Sequence, residues 1–125
     1  APGVEINEVV PTGARWALQA LIASLTTSAV AGNRAPIVDF FGAPGTIVKS
    51  PNVNQLGPSG SRQFGWAIGL ALIGANLTST PVAGLPTDFH LLAGQGFRSL
   101  TENLAAGDNW TAPVFTVREW LDVDA

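Results

Sequence analysis

The residues able to do chemistry are few and scattered. His90 is the single histidine, and with Asp88 it forms D-x-H. On a strand that spacing points both side chains to one face, where the pair could orient a general base or hold a metal. The sequence offers no second His and no Cys to complete a metal site. A polar residue at a strand edge is therefore the preferred reading. "GPSGS" (Gly57–Ser61) contains serines but lacks the G-x-S-x-G elbow. "GQGF" (Gly94–Phe97) lacks the third glycine and the βαβ setting of a phosphate cradle. Both read as turns. The carboxylates Glu5 and Glu8, and Asp122 and Asp124, lie near the two termini and read as solvated pairs. Asn76-Leu77-Thr78 and Asn109-Trp110-Thr111 match the glycosylation sequon, a motif frequent by chance. No complete catalytic constellation emerges, so the expectation is a non-enzyme with no cofactor and no metal.

Four tryptophans remain. Trp16 and Trp66 lie in apolar runs and are expected to fill the core or a subunit interface, since each ring buries about 150–250 Å². Trp110, flanked by Asp108, Asn109 and Thr111, is the one expected to be exposed. Trp120 ends the last alternating segment.

Composition sets the frame in which these residues act. The chain has 125 residues, enough for one domain with a real core. Apolar residues make up 46%, which argues against disorder. Charged residues are only 12%, against about 25% in an ordinary soluble domain. So few charges protect a lone monomer poorly from association, which points to a surface covered by other subunits. A net charge of −3 and the lack of any Lys/Arg cluster argue against a nucleic-acid partner. Absence of cysteine excludes disulfides and thiolate chemistry. The opening "APGVEINEVV" has no basic and no apolar region, so it is not read as an intact secretion signal. Removal of an initiator Met would account for Ala1.

"VPTGARWALQALIASLTTSA" (Val10–Ala29) is the ambiguous element. Polar residues interrupt it before the ~18–20 apolar residues that a membrane span needs. "FGWAIGLALIGA" (Phe64–Ala75) is more apolar but shorter still, so no membrane partner is expected. Leu18, Leu21, Ile22 and Leu25 fit the helical i, i+3, i+4, i+7 template. Trp16, Leu18, Ala20 and Ile22 fit period 2 equally well. The rest of the chain decides for strand. Fourteen glycines and nine prolines punctuate it at short intervals. The runs between them read as strands: Val4–Val10, Arg15–Thr27, Ala35–Phe41, Thr46–Lys49, Arg62–Leu72, Phe89–Leu92, Phe97–Leu104 and Val114–Leu121. Ser50–Ser61 and Asn76–Thr87 read as loops. The expected fold is all-β: one antiparallel β-sandwich domain over residues 1–125, jelly-roll-like, of about eight short strands. The arms Ala1–Val10 and Leu121–Ala125 extend from it.

"VPTGARWALQALIASLTTSAVAGNR" (Val10–Arg34) and "LPTDFHLLAGQGFRSLTENLAAGDNWTAPVFTVREWL" (Leu85–Leu121) together resemble small structural proteins of tailed bacteriophages. The resemblance covers about half the chain and implies a virion β-sandwich, specifically a capsid cement or decoration protein. Such proteins are often trimers seated between capsomers. It implies the major capsid protein as partner and the capsid surface as location. No coiled-coil or collagen-like stalk points to a fibre. The candidate capsid or subunit contacts are Val4, Ile6, Trp110, Trp120 and Leu121. The alternative is a carbohydrate-binding β-sandwich for host recognition, using Trp110 with Asp108 and Asn109.

Overall fold

In the computed structural model, residues 3–43, 45–52, 55–68, 82–87 and 89–121 are described. They form β1 (Asn7–Val9), β2 (Ala14–Thr26), β3 (Ala35–Gly42), β4 (Gly45–Pro51), β5 (Ser61–Ala67), β6 (Val82–Gly84), β7 (Leu91–Leu92), β8 (Gly96–Glu102), β9 (Asn109–Trp110) and β10 (Val114–Leu121). The described residues contain no helix. The protein is all-β, as expected, and its strands lie in two sheets. The smaller sheet runs β1-β8-β3-β4 and the larger β10-β2-β5-β6, with β7 and β9 also pairing to β2.

The ambiguous stretch is the long central strand β2, and its helical spacing has a specific cause. Thr116 pairs with Ala20 and Val117 with Leu18, so Gln19 stands unopposed in a bulge. One extra residue in a strand shifts the side-chain alternation by one. Beyond the bulge the odd positions Leu21, Ala23 and Leu25 are buried in the core. Before it the even positions Ala14 and Leu18 are buried, with Trp16 packed against them. The three-residue step from Leu18 to Leu21 is this phase change, not a helical turn. Ile22 belongs to the opposite face and is exposed.

The inner faces of the sheets share one apolar cluster. Leu18, Leu21, Leu25, Phe64 and Trp66 come from the larger sheet, and Val38, Phe40 and Phe97 from the smaller. Phe97 of β8 meets Phe115 of β10 edge-on, centroids 5.1 Å apart. The Trp66 Nε1–H donates to the Ser50 carbonyl of β4 at 3.0 Å. This contact lets a buried indole cross the interface with its polar handle satisfied.

Several details differ from the sequence reading. Two very short strands are additional: β6, inside the expected loop Asn76–Thr87, and β9, which pairs with β2 at Leu25 and Thr26. β5 and β6 are parallel, so the larger sheet is mixed and departs from a purely antiparallel winding. The final residues of the expected strand Arg62–Leu72 lie outside the described residues, as do Ala1 and Asp122–Ala125.

The amino-terminal segment is not a free arm. Ile6 is buried, and it exchanges hydrogen bonds with Ser99 through backbone and hydroxyl. Glu5, expected to be solvated, accepts from the Ser99 and Thr101 hydroxyls at 2.8 Å and from the Thr101 N–H. A carboxylate holding three donors ties this segment to β8. At the other end of β1, Gly96 lets the chains meet: a Cβ there would collide with the Glu8 carbonyl oxygen.

Candidate functional site

The two glycine-rich motifs are turns. In "GPSGS" the Thr27 hydroxyl donates to the Gly57 carbonyl at 2.7 Å and accepts from the Gly60 N–H at 2.9 Å. In "GQGF" Gly94 takes φ +85°, which favours glycine, between β7 and β8. The Gln95 side-chain oxygen accepts from Leu92 N–H there. Among the described residues no three His, Cys, Asp or Glu side chains gather as a metal site. Asp88, the expected partner of His90, lies outside the described residues, as does the sequon at Asn76.

Trp110 reverses its expectation. It is only 5% exposed. Pairing of β9 with β2 sets Trp110 opposite Leu25, whose side chain points into the core. Its ring meets Phe64 edge-on at 6.0 Å, and its Nε1–H donates to the Thr101 hydroxyl at 3.3 Å. The adjacent Asp108 is equally unavailable to a sugar, because it is fully buried against Arg34. Arg34 Nε reaches Asp108 Oδ2 at 2.8 Å, and the second guanidinium nitrogen reaches Oδ1 at 3.0 Å. Oδ1 also accepts from Ser28 N–H and Oδ2 from Ala105 N–H, both at 2.8 Å. The remaining guanidinium nitrogen donates to the Val30 and Gly32 carbonyls. The Arg34 guanidinium holds the Asp108 carboxyl well below the usual carboxylate range. Burial opposes that shift, and the Ala105 and Ser28 N–H groups reinforce it. This cluster is a structural clamp, and nothing in its local sequence flags it, since its halves lie 74 residues apart.

Of the other expected contacts, Val4 is 55% and Leu121 77% exposed. Ile6 and Trp110 are used inside the chain's own core. Trp120 is half-buried on the outer face of the larger sheet. There it stands opposite Arg15, its partner in the β10–β2 register. Trp16 points to the inner face, where its Nε1–H donates to Glu119 Oε2 at 2.7 Å.

Two surface features stand out on that outer face. One is an uncharged area. Register sets Ala20, Ile22, Ser24 and Thr26 of β2 beside Ala67, Gly65, Gln63 and Ser61 of β5, and sets Val114 and Thr116 of β10 beside Ile22 and Ala20. Ile22 is 39% and Val114 72% exposed. The other is a cavity of about 380 Å³ at the far end of β2, lined by residues that include Gln19, Thr87, Phe89, His90, Arg118 and Trp120. Sequence reading singled out His90 and Trp120 separately and missed Gln19, Phe89 and Arg118. The i, i+2 spacing of Arg118 and Trp120 on an alternating strand was the available signal. A shallower cleft of about 280 Å³ lies between Val4–Glu8 and Trp110–Pro113.

No protein-family model, no curated protein and no solved structure matches the chain.

Proposed function

We propose that the chain is a structural virion protein, a capsid cement that binds the outer surface of a phage head and stabilises it against internal pressure. Its partner is the major capsid protein and its working form a homotrimer. The observation that supports this reading is the uncharged outer face of the larger sheet around Ile22 and Val114. A cement protein needs a rigid scaffold and a contact surface with little desolvation penalty. Backbone groups of Ala20–Ile22 in β2 are paired on both sides, by β10 and β5, so covering this face strands few polar groups. Covering the surface Val114 still exposes would contribute at most about 1.5–3 kcal/mol, and Ile22, already more than half covered, correspondingly less. Such contacts are modest singly and add through high effective concentration when a trimer engages several capsid subunits. A protein that binds only the assembled lattice stabilises it by mass action.

The test is cosedimentation of the purified chain with heads lacking it, at increasing protein concentration. Saturable binding to assembled heads, and none to unassembled capsid subunits, is the expected result. Equal binding to both, or none to heads, overturns the proposal. Light scattering of the free protein should give about three times the 12.9 kDa chain mass.

A further inference from the structure

The chain has six Lys and Arg residues against nine Asp and Glu. Arg34 and Arg98 are ion-paired, with Asp108 and Asp39. Arg15 and Arg118 have no ion-pair partner among the described residues, and they flank the same aromatic ring. The Arg15 guanidinium lies 5.4 Å and that of Arg118 5.2 Å from the Trp120 ring centroid. His90, the single histidine, has its ring 4.6 Å from the same indole. The neighbouring acid Glu119 does not neutralise them, because it turns to the inner face and accepts from Trp16. Arg15 Nε is buried with no hydrogen-bond partner. An acidic chain thus gathers, around one tryptophan at the edge of a cavity, its histidine and two arginines without an ion-pair partner among the described residues.

We propose that this cavity is a binding site for a saccharide ring carrying a carboxylate, a uronic-acid unit of an acidic glycan. Its volume falls in the ~300–1,000 Å³ range of small-molecule sites. Phe89 supplies an apolar wall for the C–H face of a pyranose, since aromatic faces favour the weakly positive hydrogens of such a ring; the Trp120 ring is taken by Arg15, Arg118 and His90 and holds them at the cavity edge. Arg118 supplies the carboxylate contact. A guanidinium stacked on an indole keeps its N–H edge free for a planar, bidentate anion. Gln19 and Thr87 line the same space and provide amide and hydroxyl groups for sugar hydroxyls. The site lies on the same sheet face as the proposed capsid contact but at the opposite end of β2, so it stands or falls independently of that contact.

Tryptophan fluorescence and calorimetric titration with a galacturonic-acid oligomer test the proposal, with its methyl ester as an uncharged control of the same backbone. The acid should bind saturably and the ester at least tenfold more weakly. Arg118→Gln should weaken the acid at least tenfold and leave the ester unchanged, and Trp120→Ala, which removes the platform under Arg118, should weaken the acid likewise. Both positions lie at the surface, and an unchanged β-type circular dichroism spectrum and urea midpoint confirm that each variant is folded. Should Trp120→Ala fail that check, Gln19→Ala, expected to weaken acid and ester alike, takes its place. Absence of binding by the oligomer overturns the proposal. So does equal affinity for acid and ester, or binding that Arg118→Gln leaves intact. Arg118-dependent binding of a glutamate-rich peptide without binding of the oligomer overturns the saccharide assignment.

Discussion

Replacing Asp108 with alanine should be among the most damaging single changes away from the apolar core. The carboxylate accepts four hydrogen bonds, two from Arg34 and one each from the Ser28 and Ala105 N–H groups. Removing it leaves a guanidinium with no exposed surface and no counter-charge. Breaking a buried pair from one side costs about 3–5 kcal/mol. Two orphaned N–H groups act in the same direction, at about 1–3 kcal/mol each if water cannot reach them. Total stability of a domain is only about 5–15 kcal/mol. Against a urea slope of about 2 kcal/mol/M, loss of the ion pair alone should lower the midpoint by roughly 1.5–2.5 M, and the orphaned N–H groups can only add to that. Asp108→Asn, which keeps an acceptor but loses the charge, should fall less. The pH dependence has a fixed sign. The folded-state pKa is depressed, so the contribution is complete above the ordinary aspartate range near pH 4 and is lost progressively as pH falls below it. Urea titrations at pH 7 and pH 3 read both effects. A midpoint shift below about 0.5 M at pH 7 would place the pair with exposed surface bridges, which contribute ~0–1 kcal/mol, and would refute the clamp.

Three further outcomes follow from packing and register. Trp110→Ala should cost about 3–5 kcal/mol by urea denaturation, as for a core aromatic, where an exposed indole would cost less than about 0.5 kcal/mol. Gly96→Ala should abolish soluble expression or lower the thermal midpoint sharply, because its Cβ meets the Glu8 carbonyl and the Phe41 ring; an unchanged midpoint would mean β1 does not dock on β8 as described. Ile22→Glu should leave the stability read by urea denaturation within about 0.5 kcal/mol, as expected at an exposed site, yet block attachment to heads in the cosedimentation assay.

Local chemistry in the sequence was sufficient to locate most strands. Glycine and proline punctuation bracketed the runs that became β3, β4, β8 and β10, because turn residues act within a few positions of themselves. The bulge at Gln19 was not legible, since it exists only in the pairing of β2 with a strand about a hundred residues later. Its effect on the sequence was a false helical spacing at Leu18 and Leu21. Trp110 misled for the same reason. Its flanks, Asp108 and Asn109, read as solvent-facing, but Asp108 is buried by an arginine far away in sequence and Trp110 is carried inward by a two-residue strand. The short strands β6 and β9 carry too little pattern to be read alone. In the candidate cavity Trp120 and His90 were visible as isolated residues, whereas their meeting with Arg118, Phe89 and Gln19 depends on how Pro86, Thr87, Phe89 and His90 lie beside β2 and β10.

The measurement that bears most directly on the capsid role is genome retention by heads heated with and without the bound chain, read by a dye that reports released nucleic acid. Heads saturated with the protein should release their genome at a higher temperature than bare heads, with the shift growing with free protein concentration until the sites fill. Heads mixed with Ile22→Glu protein should behave as bare heads. Identical release curves for bare and saturated heads, with binding independently confirmed, would contradict a cementing role.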